Sequence, residues 1–384
     1  MKIFHCGHCD QLVFFENTSC VHCEHTLAYL PDRGEMGTLE PDGGAPDRFR
    51  SLTPGTEGTA YKLCPNYSKE NVCNWAVPAD DPNPYCLSCR LTRTIPDASR
   101  LDLRGGWARL ETAKRRLIYS LLSLKLPLAT KIEDPERGLA FEFLAEPPPG
   151  TPNAAPVLTG HANGVITINV AEADDAERER RRNLFQEPYR TLLGHFRHEV
   201  GHYYWDLLIQ NSHWLDEYRK LFGDEREDYG QALQRYHQQG APADWGRSFV
   251  SAYATAHPWE DWAESWAHYL HITDTLETAV ACGLALKPSR RDEPALMPDI
   301  TIGGTRPAAF KTIIDRWFPL TYVLNNLNRG MGLQDPYPFV LSPPAVAKLQ
   351  FVHEVVSAET SSRTPKAETP GILKKIVAPG LFQF

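Results

Sequence analysis

Eight of the nine cysteines fall before residue 90, and only Cys282 stands apart. A chain with that distribution has to fold its first quarter around something other than an ordinary apolar core. Cys6, Cys9, Cys20 and Cys23 form two Cys-x2-Cys knuckles ten residues apart, across a hairpin-length stretch that contains Val13, Phe14 and Phe15. Four thiolates from two such turns can close a tetrahedron around Zn2+, and the metal then supplies folding energy that so short a segment cannot gain by burying apolar area. Cys64, Cys73, Cys86 and Cys89 contain only one tight knuckle, so Cys64 and Cys73 have to converge through the fold. Disulfides are disfavoured, because residues 1–6 carry no apolar core or cleavage site of a secretory signal; a cytoplasmic location, where thiols stay reduced, is the expectation. Each set is therefore assigned one structural zinc. His5, His8, His22 and His25 flank the first set and could substitute for a cysteine, but are expected to be exposed ribbon residues, and Cys282 reads as a small buried hydrophobe.

Composition narrows the remainder. With 384 residues, 42% of them hydrophobic and 23% charged, the chain suits a soluble protein with one domain large enough for a sizeable core. The richest apolar run, residues 117–129, is cut by Ser120, Ser123, Lys125 and Pro127, which excludes a membrane span. Residues 31–60 are rich in Gly, Pro, Asp and Thr and read as a linker between a zinc ribbon at 1–30 and a second cysteine module at 61–95. From Trp107 the spacing of Leu110, Ala113, Leu117, Leu121 and Leu124 predicts a helix. Residues 139–144 and 164–170 read as strands, and helical patterns dominate from 187 to about 330. The expected class is α+β: N-terminal zinc-ribbon modules, then a mainly helical domain over 96–356 with a small sheet. Residues 357–384, rich in Ser, Thr, Pro and Lys, are expected to be a disordered tail.

The chemistry lies in His198-Glu199-Val200-Gly201-His202. Two histidines four apart share one face of a helix and can reach one metal, while Glu199 leans toward the place where a metal-bound water would sit. Leu193, Phe196, Val200, Tyr203, Tyr204 and Leu207 form the opposite, apolar face. A second helix starts at Pro258, with Trp259, Trp262, Trp266 and Tyr269 on one side and Glu260 and Glu264 together on another. Zinc held by two His and one Glu keeps a fourth position for water, which is the catalytic arrangement. Glu260 is assigned as third ligand and Glu264 as the outer carboxylate that orients a ligand histidine. His195, one turn before His198, is a candidate for an outer contact or a substrate contact.

These residues resemble the gluzincin class of zinc metallopeptidases, whose third ligand begins a Glu-x-x-x-Asp/Glu helix. Glu264 stands where many of them have Asp, which keeps an exchange of roles between the two glutamates open. The closest match is the lethal-factor-like pattern, in which a tyrosine seven residues before the ligand glutamate stabilises the oxyanion; Tyr253 has that place. The whole layout is similar to a bacterial family of zinc-ribbon zinc-binding metallopeptidases. The resemblance implies a zincin-like peptidase domain with one catalytic and two structural Zn2+, acting on a peptide or protein substrate. The strand at 164–170, if it lies at a sheet edge, could pair with an extended substrate. The rival reading is a non-catalytic zinc-ribbon adaptor built on a degenerate scaffold. Residues 1–95 carry eight Lys/Arg and twelve Asp/Glu, a balance that speaks against nucleic acid as the partner, and neither composition nor charge points to a membrane. A protein partner through the ribbons or the tail stays open.

Overall fold

The computed structural model describes residues 1–44, 47–147, 151, 155–178, 180, 191–286 and 309–363. β1 (Phe4–His5) and β2 (Leu12–Val13) pair across the first knuckle, with Phe4 opposite Val13. β3 (Thr26–Leu30), β4 (Glu35–Pro41), β5 (Phe49–Ser51), β6 (Ala60–Leu63) and β7 (Ala76–Pro78) follow as an antiparallel sheet in that spatial order. The sheet curls until its ends meet, where the Tyr29 amide donates to the Asn74 carbonyl at 2.9 Å.

The expected linker at 31–60 is thus overturned, since β4, β5 and the start of β6 lie within it. The Thr and Ser content that reads as linker has a structural use. Thr38, Ser51, Thr53 and Thr56 are all buried. Their hydroxyls bond one another and the backbone: Ser51 Oγ lies 2.8 Å from Thr56 Oγ1, and the Thr38 amide donates to Thr53 Oγ1 at 2.8 Å. Thr38 also accepts from the Gly7 amide at 2.7 Å and donates to Cys6 Sγ at 3.5 Å, so the supposed linker is part of the first cysteine cage. A hydroxyl buried with its partners satisfied carries little penalty, and hydropathy alone does not reveal it.

The second sheet serves the site. β8 (Thr92–Thr94), β9 (Ala140–Leu144), β10 (Gly160–Ala162) and β11 (Val165–Asn169) lie in the order β10-β11-β9-β8. β11 and β8 run parallel to β9, and β10 runs antiparallel to β11. The strand read at 164–170 is β11, which is interior, so the condition for pairing an extended substrate there is not met, and β10 holds the edge. Asn163 (φ 50°) and Gly164 (φ 76°) explain this: both central residues of the turn have positive φ, as a tight two-residue hairpin requires, and they fold β10 back along β11.

The long helices are α1 (Leu101–Ser123), α2 (Leu192–Tyr204), α3 (Leu215–Phe222), α4 (Tyr229–Gln239), α5 (Pro258–Ala281), α6 (Phe310–Gly330) and α7 (Pro343–Arg363). Thr191 caps α2 by accepting from the Gly194 amide at 2.9 Å, and His257 caps α5 by accepting from the Trp259 amide at 3.0 Å. α7 continues past residue 357, where a disordered tail was expected to start; residues 364–384 lie outside the described residues. No helix among the described residues is long and apolar enough to cross a membrane.

α2 and α5 pack against each other closely. A Cβ on Gly201 would lie 3.0 Å from the Ala263 Cα and 3.2 Å from the Trp266 Cβ, so only glycine lets the helices approach this far without displacement. Trp262 Nε1 seals the crossing by donating to the Gly201 carbonyl at 2.9 Å. One turn before Gly201 on α2, Arg197 pairs with Asp274 of α5 at 2.5 Å. One continuous core joins this body to the cysteine-bearing segment, with the Phe15 and Tyr119 rings 5.6 Å apart. The N-terminal amine pairs with Glu277 at 3.0 Å. Glu277 lies 17 residues along α5 from Glu260, about 25 Å at the helical rise, so the chain start docks at the far end of α5 from Glu260.

Candidate metal centres and active site

The two cysteine sets gather as the spacing predicts, each with its four sulfurs within 4.8 Å of one another. In the first, Cys6–Cys23 and Cys9–Cys20 are 3.5 and 3.7 Å apart; in the second, Cys73 lies 3.7 Å from both Cys86 and Cys89. Disulfide sulfurs would be about 2.05 Å apart. A zinc tetrahedron with Zn–S near 2.3 Å has edges of about 3.8 Å, and these cages match it. Burial pushes the Cys86 thiol up, and its three cysteine neighbours push it further; a packed set of thiols with that profile calls for a cation. Cys282, read as buried, is exposed.

The third centre forms where α2 crosses the start of α5. His198 Nε2 and His202 Nε2 are 3.2 Å apart, and Glu260 Oε2 is 3.0 Å from the first and 3.6 Å from the second. A zinc with bonds of about 2.0 to 2.1 Å spans its ligands at about 3.3 Å. All three residues are buried, and Glu260 is only 1% exposed. Its Oε2 has no hydrogen-bond partner among the described residues, which leaves a buried carboxylate oxygen aimed between two imidazoles. Burial pushes the Glu260 carboxyl up, but His202 and His198 outweigh it and hold it well below the usual carboxylate range. The donor set and its spacing fit zinc.

The surrounding groups fix these donors. Glu264, one turn after Glu260, is 2.7 Å from His198 Nδ1, the nitrogen that faces away from the centre. Ser251 donates to the other Glu264 oxygen at 2.6 Å, and Tyr229 of α4 donates to Glu260 Oε1 at 2.6 Å. Glu199 is buried on the same face of α2. Tyr253 opens a short 3-10 turn before α5, half-buried, with its ring centre 5.9 Å from that of His198 and 5.5 Å from that of Tyr236. Trp259 packs on His202 at 4.0 Å between ring centres, and His161 of β10 stacks near His202 at 6.4 Å. Burial and His202 push His161 down to about 4, so it is a neutral ring.

Sequence reasoning did not single out Tyr229, Ser251, Glu172, His161 or Trp259 as site groups. Tyr229 sits 31 residues before Glu260, a separation that no spacing rule reads. In sequence Trp259 reads only as part of an apolar stripe, yet its ring stands against the candidate ligand His202.

A helix-borne histidine pair joined by a carboxylate from a crossing helix, behind cysteine cages of zinc-ribbon type, places the chain among zinc-binding proteins of metallopeptidase type. The chain belongs to the family described as "Putative zinc-binding metallo-peptidase", whose model matches residues 104–355, and residues 3–100 match a zinc-ribbon domain model. Uncharacterized proteins of Mycobacterium bovis and of two Mycobacterium tuberculosis strains are each 44% identical to it over 357 residues, covering 93% of this chain and 95% of the relative. No solved structure matches it.

Proposed function

We propose that the chain is a zinc-dependent peptidase of the gluzincin type, in which His198, His202 and Glu260 hold the catalytic zinc and Glu199 is the general base. The observation that carries this reading is the near-tetrahedral spacing of three buried donors beside a buried glutamate. Zinc held this way supplies a Lewis acid and lowers the pKa of water toward ~7. Glu199 takes a proton from the attacking water and passes it to the leaving amine. Tyr253 donates to the developing oxyanion; its half-buried place beside His198 suits that role better than a core role. Glu264 keeps His198 in the tautomer that presents Nε2. An extended peptide would find its backbone partner in the edge strand β10, next to α2, rather than in β11.

The direct test is hydrolysis of a peptide library by zinc-loaded protein, with elemental analysis of the same sample. About three zinc per chain and cleavage that a chelator abolishes and added zinc restores are expected. Protein with three zinc ions and no cleavage of any peptide would leave the adaptor reading in its place. Tyr253→Phe should lower kcat and kcat/KM together by roughly 10- to 1,000-fold while KM and zinc content hold. A packing role predicts an unchanged kcat and a shifted melting temperature, and that outcome would remove Tyr253 from the mechanism.

A further inference from the structure

A part-buried chain of polar groups runs behind Glu199, and the hydrolysis proposed for the site does not use it. His195 Nε2 lies 3.1 Å from Glu199 Oε1, and His195 Nδ1 lies 2.6 Å from Glu172 Oε2. Glu172 is 1% exposed and stands in the 3-10 turn (Val170–Ala173) that follows β11. Its Oε1 accepts from Thr159 Oγ1 at 2.6 Å, and Thr159 Oγ1 accepts from the Asn169 amide at 3.0 Å. The line thus runs from the sheet to the helix that carries the histidine pair.

The hydrogen-bond inventory of this line is restrictive. Two ionised carboxylates offer only acceptors, and a neutral imidazole donates from one nitrogen alone, so His195 serves both sides only with both nitrogens protonated. Burial opposes that charge, but Glu172 and Glu199 outweigh it and push His195 up to about 10. Glu199 then has Oε1 engaged, while its Oε2 is buried with no hydrogen-bond partner among the described residues. A histidine kept for packing alone would not need a buried acid on its far side. A lone imidazolium would also hold the Glu199 charge too tightly for a base. Glu172 shares that attraction and leaves the three groups with a single net negative charge.

We propose that His195, held by Glu172, is a positioning residue for Glu199: it fixes one carboxylate oxygen so that the other faces the attacking water. The proposal rests on the peptidase reading for its catalytic meaning. The hydrogen-bonded line itself is open to a test that needs no turnover.

Two measurements on the zinc-loaded full chain decide it. In 15N-histidine NMR spectra near neutral pH, the signal that disappears in His195→Gln should show protons on both ring nitrogens. In Glu172→Gln, which keeps the side-chain shape, it should show one. In kinetics, His195→Ala should lower kcat by roughly 10- to 100-fold with KM and zinc content unchanged. His195→Gln, which retains a donor toward Glu199, should recover part of that loss. Glu172→Gln should also lower kcat, and combining it with His195→Ala should add little, because the two act as one unit. A singly protonated His195 ring in the wild-type chain overturns the proposal, as does full kcat in both His195→Ala and Glu172→Gln. Should the wild-type chain cleave nothing, the peptidase reading fails by itself, and the spectra alone decide whether the line exists.

Discussion

Glu199→Gln should fold normally, keep its full zinc content and lose peptide hydrolysis by about 100- to 10,000-fold. The amide preserves the volume of the buried side chain, and its carbonyl oxygen can still accept from His195, so little moves. What disappears is the ability to take a proton from water. In the wild-type chain burial pushes the Glu199 carboxyl up, but His195, His198 and His202 outweigh it and leave it below the usual range, so it is ionised. Steady-state kinetics on a cleavable peptide, beside zinc analysis, separate the cases. Normal turnover in the variant would remove Glu199 as the base, whereas loss of zinc together with turnover would show that the substitution damaged the metal centre instead.

The parts of this molecule visible in sequence are those where chemistry forces a spacing. Cys-x2-Cys turns place two sulfurs on one side of a knuckle, and the eight N-terminal sulfurs form two cages. A histidine pair four apart on a helix must share a face, and a glutamate pair four apart on the next helix must do the same; the crossing of α2 and α5 makes the two faces meet. Gly201 and Trp262 set that crossing, yet in sequence one is a motif variable and the other a member of an aromatic stripe.

The illegible parts depend on long-range closure. β4 and β5 have few apolar residues and little β-branched content, and they exist because paired neighbours and buried hydroxyls around Thr38 and Thr53 hold them. β10 is hidden because only the Asn163-Gly164 turn marks it, and without β10 the sequence leaves open whether β11 is an edge or an interior strand. Glu172 and His195 are 23 residues apart, and nothing local links a turn after a strand to a helix start.

Glu260 and Glu264 provide the sharpest test of how the centre is built, because they are the same residue type one helical turn apart in different relations to the histidines. Glu260 Oε2 faces both Nε2 atoms at 3.0 and 3.6 Å, and its other oxygen is held by the Tyr229 hydroxyl. Of the two histidines Glu264 bonds His198 alone, at Nδ1 from behind, while Ser251 holds its other oxygen. Glu260→Gln therefore replaces a charged metal donor with a neutral amide and should strip the catalytic zinc, leaving about two zinc per chain in the cysteine cages. Glu264→Gln should keep that zinc but bind it roughly 10- to 100-fold more weakly, since an amide orients His198 less firmly and makes it a poorer donor. The two cages act as an internal control, because their zinc content reports folding independently of the third site. Competition titration against a chelator reads both values in one experiment. If the Glu264 variant loses the third zinc while the Glu260 variant retains it, their roles are exchanged, and the metal lies one helical turn further along α5.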